Sequence, residues 1–436
     1  MLGSNAITKT QSVILLGIII VAAVAGVYVL MMEQGTSDTI KIGVLADLDG
    51  AIGKTILQGT KLAAEQINAE GGIMGKQIEV IGEDTDVESG SDATKVDLAL
   101  TRLITLRNVD FIIGISAGQG FRIQEVISQY KKIFFDIDAA QDSYTQRVLE
   151  DYDSYKYYFR DTFNATSTFQ GMIDGFLQFK ELTGLNKIGY LAEDLGWNTE
   201  ITKGVDIVLP ELGFDLVYEG KFPIGTVDFS SYFAQAEAEG VEVMVPLIAV
   251  GGAVPFVKEY SDRQSPMVIY GGILGGGVTG KEGWEITEGK CEYTTSAAYA
   301  ITAGYNLTSK TLPVREAYIN RWNEIPSSSA ATAYDILRYI LADAIRRAGT
   351  LEVSAVIDAL ETTSIETTNA KNFVYTSSHD LMMGENPNNP DADYTLVIYF
   401  QWQNEKLIPI YPKKIMEEAG ATYIFPPWSG PWDKIS

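Results

Sequence analysis

The amino-acid sequence predicts an α/β fold of two units with parallel sheets, preceded by a transmembrane helix. Three observations support this prediction. Predicted strands and helices alternate along most of the chain, and its 436 residues, 46% of them hydrophobic, suffice for two cores. Residues 13–32 also form an uncharged apolar segment. We therefore expect two α/β units, each with a parallel sheet, outside a membrane-spanning segment.

The apolar segment reads VILLGIIIVAAVAGVYVLMM and as a helix would rise about 30 Å, enough to cross a bilayer. Lys9 precedes it, and Glu33 and Asp38 follow it, so the positive-inside rule places residues 1–12 in the cytoplasm. We expect a single-pass protein of the cell membrane whose globular body is extracellular.

A cleaved signal peptide is the alternative, because Ala23-Val24-Ala25 resembles a cleavage site. The apolar segment continues past that site, which favours a retained anchor. The start, SNAITKTQSVILLGIIIV, also resembles the class III, prepilin-like signals of some archaeal binding proteins. That resemblance implies processing near Ala6 and Ile7 with the helix left attached.

Composition excludes several classes of function. The chain has 33 basic and 57 acidic residues, a net charge of −24, and no dense basic cluster, so we expect no nucleic-acid partner. Cys291 and His379 are the only cysteine and histidine, which excludes a disulfide framework and a Cys/His zinc site. A dyad of these two residues remains formally possible, but neither lies in a nucleophile signature. We expect no enzyme, no cofactor and no metal.

After a polar linker at residues 33–39, the buried strand IKIGVLADL is followed by the helix KTILQGTKLAAEQINA, whose apolar positions share one face. Strands KQIEVIGEDTD, VDFIIGI and KIFFDID continue the alternation, with helices between them. A second series contains the strands NKIGYLAED, FDLVYEGKF and VEVMVPLIAV. Each series predicts a parallel sheet.

The segments INAEGGIMGKQIEV, VDFIIGISAG, KIGYLAEDLGWNTE and TAYDILRYILADAIRRAG resemble the type I solute-binding proteins of the Leu/Ile/Val-binding and amide-binding kind. The resemblance runs from about Ile40 to Lys413. It implies two Rossmann-like lobes with parallel sheets joined by three hinge crossovers, with a solute bound between them and passed to ABC permease and ATPase subunits. The implied lobe 1 comprises residues 40–158 and 290–380, and the implied lobe 2 comprises residues 159–289 and 381–436.

In open parallel sheets, ligands bind where the strands end, so the candidate contacts follow strands. In lobe 1 the loop GISAGQG offers Ser116, Ala117, Gly118 and Gln119, although an ordinary glycine-rich turn is the alternative. The resemblance implies a second contact loop at Asp138, Ala139 and Ala140. Asp138 is either a partner for a cation or a helix N-cap.

In lobe 2 the resemblance implies that Trp197 covers the ligand, near Glu193 and Asp194, although a tryptophan there is as often packing. Gly251 and Gly252 match a glycine pair of the family, and Leu274 lies in a further aligned loop at residues 270–275. Asp47 and Asp49 would line the rim of lobe 1.

The loop at residues 270–275 contains no acid, where relatives that bind amino acids usually offer a carboxylate to the α-ammonium. Asp138, Glu193 and Asp194 are candidate substitutes, and a neutral amide or a carboxylate would need none. Asn164 and Asn306 begin glycosylation sequons. The expected function is an extracytoplasmic receptor for a small polar solute; a filament-forming surface protein and a sensor ectodomain are the alternatives.

Overall fold

The computed structural model describes residues 39–86, 92–116, 118–275, 277–389 and 391–430. The predicted cytoplasmic segment 1–12, the predicted transmembrane helix 13–32, nearly all of the linker and Ala117 lie outside these residues. Within the described ranges, no helix has both the length and the apolar character that a membrane span requires.

The first sheet has five parallel strands in the order β2-β1-β3-β4-β5. They are β1 (Ile40–Ala46), β2 (Ile78–Asp84), β3 (Phe111–Gly114), β4 (Ile133–Asp136) and β5 (Tyr158–Arg160). The helices of this part are α1 (Ala51–Ala69), α2 (Ala93–Thr105), α3 (Gly120–Tyr130), α4 (Asp142–Glu150) and α5 (Tyr152–Tyr155). The central strands are buried on both faces because helices cover the sheet, which explains their continuous apolar sequences.

The second sheet has the order β10-β8-β6-β7, with β9 also paired to β8, and its pairs are parallel. Its strands are β6 (Lys187–Glu193), β7 (Asp215–Phe222), β8 (Val243–Ile248), β9 (Val268–Ile269) and β10 (Ile273–Leu274). The helices here are α6 (Ala165–Thr183), α7 (Thr199–Glu211), α8 (Ser230–Ala238), α9 (Ala253–Arg263) and α10 (Lys281–Ile286), with a 3₁₀ turn at Gly196–Asn198. The predicted α/β architecture with two parallel sheets is confirmed.

A third, antiparallel sheet joins β11 (Thr295–Ala297), β12 (Tyr399–Gln403) and β13 (Lys406–Tyr411), and α16 (Lys413–Glu418) follows it. Between β11 and β12 the chain forms α11 (Ala300–Ala303), α12 (Thr311–Trp322), α13 (Ser328–Asp335), α14 (Ala342–Ala348) and α15 (Val353–Glu361). A π-helical turn at Ile336–Leu341 connects α13 to α14. Helix α13 lies close against α1, because a Cβ on Gly59 would approach the carbonyl oxygen of Ala330 to 2.1 Å.

In the described part of the chain, the buried hydrophobic residues form one core around the first sheet, two around the second and third sheets, and a smaller cluster that joins α11 to β12 and α16. We call the body around the first sheet, with α11 to α15, lobe 1, and the remainder lobe 2. The chain passes between the lobes at residues 161–164, at residues 298–299 and over residues 382–396. Cys291 packs in lobe 2 and Tyr299 in lobe 1, so the second passage lies a few residues after the expected boundary at residue 290.

Candidate ligand-binding cleft

Four strand-to-helix loops at the carboxyl ends of the two parallel sheets begin helices without a side-chain cap. Gly50, Gln119, Gln141 and Gly252 precede α1, α3, α4 and α9, and none of these four described residues makes a side-chain hydrogen bond to its helix. The first amides of such helices are available as donors, and the helix dipole favours an oxygen with negative charge there. Both lobes therefore present sites suited to a carboxylate or carbonyl group.

The loop after β3 contains the predicted contact Ser116. Its side chain is 1% exposed, and its amide donates to Oδ1 of Asp138 over 3.0 Å. Gly118 has a φ of 77°, in the left-handed region, and Gln119 is the N-cap of α3. The Tyr144 hydroxyl donates to the Gly118 carbonyl over 3.1 Å, so α4 holds this loop in place.

Two carboxylates lie at the carboxyl end of β4. Asp136, the last residue of the strand, is buried, and Asp138 is open to solvent. Oδ1 of the fully buried Asp136 accepts from the amides of Asp138 and Ala139, both at 3.2 Å, and its Oδ2 accepts from the Tyr158 hydroxyl at 2.7 Å. Asp138 is exposed at the loop surface. Desolvation by the surrounding protein nevertheless raises the pKa of Asp138 well above its usual value, and the charge of Asp136 raises it further. A cationic group beside Asp138 would relieve this concentration of negative charge.

Asp138 is not the cap of α4. It accepts from the Ser116 amide, and the N-cap position of α4 belongs to Gln141. Of the two roles that the sequence left open for Asp138, the geometry therefore favours the partner for a cation over the helix cap.

The rest of this loop is anchored by the fully buried guanidinium of Arg160. It donates to the carbonyl of Ala139 over 3.4 Å and, through Nε, to Oδ1 of Asp380 over 2.9 Å. Ala139 is 4% exposed, and the Ala140 carbonyl accepts from the amide of Ala165, the first residue of α6, over 2.7 Å. The predicted contacts Ala139 and Ala140 therefore lie at the junction with the first passage between lobes.

Asn164 has a structural role at the start of α6. Its Nδ2 donates to Oδ2 of Asp380 over 2.7 Å, and its Oδ1 accepts from the Ser167 amide in a capping box. An N-linked glycan would be attached to this same nitrogen and would leave it one N–H. Asn164 is half-buried and Asn306 is exposed, and glycosylation of both stays a prediction.

In lobe 2 the carboxylate of Glu193, at the end of β6, is fully buried and binds the loop after β8. Its Oε1 accepts from the amides of Val250 and Gly251 at 2.9 and 2.7 Å, and its Oε2 from the amide of Ala249 at 3.0 Å. Trp197 Nε1 also donates to Oε2, over 3.3 Å. Glu193 is therefore engaged by the protein itself and is not a free counter-charge for a ligand.

The remaining predicted contacts of lobe 2 differ in accessibility. Asp194 is exposed, and Trp197 is half-buried against the core of lobe 2. Gly252 has a φ of 91°, and a Cβ there would lie 3.1 Å from the Phe229 ring. Leu274 is 1% exposed within the core, and its amide donates to the Ser296 hydroxyl over 2.8 Å. The structure therefore assigns Leu274 to packing, because neither its side chain nor its amide is free for a ligand.

One loop of lobe 2 lies near the loops of lobe 1. Burial raises the pKa of Tyr144 in lobe 1, and the carboxylates of Asp136, Asp138 and Glu200 raise it further. Glu200 lies in the first turn of α7, directly after the β6 loop of lobe 2. The charge of this lobe 2 helix therefore acts on the lobe 1 residue that holds the loop after β3.

Cys291 and His379 lie in different lobes. Cys291 is buried in a core of lobe 2, and the fully buried His379 stacks on Phe159 in lobe 1 with ring centroids 4.0 Å apart. Nε2 of His379 lies 2.8 Å from Oε1 of Glu361. The formal possibility of a Cys/His dyad is therefore excluded.

At the rim of lobe 1, Oδ1 of Asp47 accepts from the Gly50 amide over 3.1 Å, whereas Asp49 is exposed. The sequence did not single out Asp136 or Tyr144, which organise the lobe 1 side of the cleft. A carboxylate at the end of the apolar run IFF was the one local signal for Asp136. Tyr144 has no comparable signal, because its bond to Gly118 depends on the packing of α4.

Comparison with known proteins agrees with this architecture. Residues 39–384 match the family model described as periplasmic binding protein. Leu/Ile/Val-binding protein homolog 7 of Brucella melitensis biotype 1 is 26% identical over 392 residues, which cover 86% of this chain and 92% of that protein.

Two crystal structures show the same fold. The branched-chain amino acid transporter substrate binding protein LivJ of Streptococcus pneumoniae, in complex with isoleucine, is 21% identical with a TM-score of 0.67, covering 86% of this chain and all of that one. An ABC transporter solute binding protein of R. palustris in complex with benzoate is 15% identical with a TM-score of 0.67, covering 85% of this chain and 95% of that one. Since the family model spans both lobes, from residue 39 to residue 384, this chain belongs to the periplasmic binding protein family.

Proposed function

We propose that the chain is the extracytoplasmic solute receptor of an ABC importer, which binds a small polar molecule between its lobes and catalyses no reaction. The observation that carries the proposal is that each of two separate parallel sheets ends in loops that begin helices without a side-chain cap, and that Glu200 of lobe 2 acts on Tyr144 of lobe 1. Family membership and the names of the relatives support it. No observation in the described part of the chain favours a filament subunit or a sensor.

The geometry favours a solute with a cationic or strongly hydrogen-bond-donating nitrogen and a carbonyl or carboxylate oxygen. Asp138 would receive the nitrogen, since Glu193 is already bound by the loop after β8. The Ser116 side chain and the first amides of α3 would receive the oxygen. An amino acid held by lobe 1, or an amide-containing analogue, meets both requirements. Because residues 270–275 contain no acid, a standard α-amino acid would need Asp138 as its counter-charge.

We further propose that residues 13–32 anchor the receptor in the cell membrane, with the lobes outside and with the permease and ATPase as partner subunits. The uncharged apolar sequence of this segment supports the anchor. Membrane fractionation of cells that express the full chain or residues 37–436 tests it. The full chain should sediment with membranes and the shorter chain should not; equal partition of the two would contradict the anchor.

The binding proposal is tested by mass spectrometry of co-purified small molecules, followed by calorimetry with branched-chain amino acids, amides and carboxylates. One solute should bind with a stoichiometry of one. Ser116→Ala should weaken it by about 0.5–1.5 kcal/mol if the hydroxyl makes a neutral hydrogen bond. Asp153→Asn is a matched control, because that carboxylate is 94% exposed on lobe 1. A folded chain that binds nothing in the panel, or equal loss in both variants, would contradict the proposal.

A further inference from the structure

A small polar cavity lies where the passages between the lobes meet, apart from the predicted contact residues. Its volume is about 20 Å³, and one water-sized particle needs about 10–15 Å³. The cavity is lined by one residue from each passage: Asp161 from the first, Tyr299 from the second and Thr395 from the third. Asp335, the last residue of α13, lines it from the lobe 1 side.

Three buried oxygens among the residues that line this cavity have no hydrogen-bond partner in the described ranges. They are Oδ2 of Asp161, Oδ1 of Asp335 and Oδ1 of Asn369, and these side chains are 3%, 5% and 8% exposed. Their other polar atoms are occupied. Oδ1 of Asp161 accepts from the Tyr375 hydroxyl at 2.6 Å, and Oδ2 of Asp335 accepts from the amide and hydroxyl of Thr368 at 3.0 and 2.7 Å.

Unsatisfied buried acceptors are costly, and two of these three are carboxylate oxygens. When both carboxylates are ionised, all three oxygens are acceptors, and one water molecule, which donates only two hydrogen bonds, cannot satisfy them. A cation can contact all three and neutralise the carboxylates.

We propose that this cavity is a binding site for a hard divalent cation of the size of Ca²⁺. The ligands are the free oxygens of Asp161, Asp335 and Asn369, with the hydroxyls of Thr332 and Thr395, which also line the cavity, as further oxygen donors. Ca²⁺ takes six to eight oxygens in flexible geometry, whereas Mg²⁺ requires near-octahedral geometry and retains waters. The two carboxylates balance the charge of one divalent ion.

The position of the site gives the cation a structural consequence. Asp161, Tyr299 and Thr395 belong to the first, second and third passages between the lobes, respectively. A π-helical turn begins directly after Asp335 and includes Ile340, another residue of the cavity wall. An ion bound here joins the passages to α13 and stabilises the junction of the lobes. This inference is independent of which solute the cleft binds.

The experiment uses the full chain stripped with EDTA and dialysed, titrated by calorimetry with CaCl₂, MgCl₂ or NaCl, and melted in each salt. We expect one Ca²⁺ to bind and the Tm to rise with CaCl₂. Asp161→Asn and Asp335→Asn should each weaken Ca²⁺ at least about tenfold. They should not lower the Tm in EDTA, because the amide keeps the shape of the carboxyl group and carries no charge to bury. Asp358→Asn, an exposed change on α15, is the control for binding to the acidic surface.

Luminescence of bound Tb³⁺, sensitised by the neighbouring tyrosines and displaced by Ca²⁺, gives a second readout in the unmodified chain. One displaceable site should appear. Absence of binding by Ca²⁺, Mg²⁺ and Na⁺ would overturn the proposal and indicate a site for water or protons only. Equal Ca²⁺ responses in Asp161→Asn, Asp335→Asn and Asp358→Asn would also overturn it, since they would indicate surface binding.

Discussion

The carboxylate of Glu193 should be the main stabilising group of the lobe 2 side of the cleft, and Glu193→Ala tests this directly. The change removes an acceptor shared by three backbone amides and the Trp197 indole, at distances of 2.7 to 3.3 Å. A hydrogen bond to a charged group contributes about 1.5–3 kcal/mol, but the loop amides are half-buried and water can replace part of the loss. We therefore expect the free energy of unfolding to fall by about 3–4 kcal/mol, below the simple sum.

Glu193→Gln separates charge from size. The amide keeps one acceptor oxygen but places an NH₂ group against the backbone donors, so we expect a loss of about 1–2 kcal/mol. Asp194→Asn is the matched control, because the neighbouring carboxylate is exposed, and the change should stay within about 0.5 kcal/mol.

Equilibrium urea unfolding, followed by tryptophan fluorescence and circular dichroism, measures these differences. The order of stability should be unmodified chain, then Glu193→Gln, then Glu193→Ala. A loss below about 1 kcal/mol for Glu193→Ala would refute the reasoning, since the bonds to Ala249, Val250 and Gly251 would then contribute little. A loss for Asp194→Asn equal to that for Glu193→Gln would refute it as well.

Three further predictions concern the solute, the junction of the lobes and pH. Asp138→Asn should weaken a solute with a protonated amine by about 1.5–3 kcal/mol in calorimetry and leave a simple carboxylate nearly unaffected; equal effects would argue against the cation role. Asp380→Ala should destabilise the chain by about 3–5 kcal/mol in urea unfolding, because it leaves the buried Arg160 guanidinium with only the more distant carboxylate of Asp142, at 3.6 Å; a loss under about 1 kcal/mol would contradict this. In EDTA, stability should fall as the pH rises from about 4 toward 8, because burial raises the pKa of Asp161 to about 8 in the fold, whereas it lies near 4 in the unfolded chain. Thermal melting of Asp161→Asn should show a smaller fall of Tm between pH 4 and pH 8 than the unmodified chain shows. The same pH dependence of Tm in both proteins would contradict the attribution of this fall to Asp161.

Much of the fold could be predicted because its signals are local. The apolar strand at Ile40–Ala46 and the one-sided helix at Ala51–Ala69 follow from periodicity alone, and both occur in the structure. The strand-to-helix loops that contain Ser116, Asp138 and Gly251 follow from the rule that parallel strands end at one edge.

The remaining features depend on contacts between distant parts of the chain. The Arg160 to Asp380 pair spans 220 positions, and no local pattern in either segment indicates it. The bond from Nδ2 of Asn164 to Asp380 likewise spans 216 positions, whereas Oδ1 of Asn164 caps α6 locally through the Ser167 amide. Glu193 was a plausible ligand contact by position, but its four donors come from residues 4 to 58 positions away, which only the packed loops bring together.

The central claim is that the two lobes receive a solute between them. Small-angle X-ray scattering of the chain with and without the solute identified by mass spectrometry tests this most directly. Closure about residues 161–164, 298–299 and 382–396 predicts a smaller radius of gyration at saturating solute. If the solute carries an amine, Asp138→Asn should need a higher solute concentration to reach the same radius. A radius that stays the same under demonstrated saturation would contradict the account and would indicate a rigid protein.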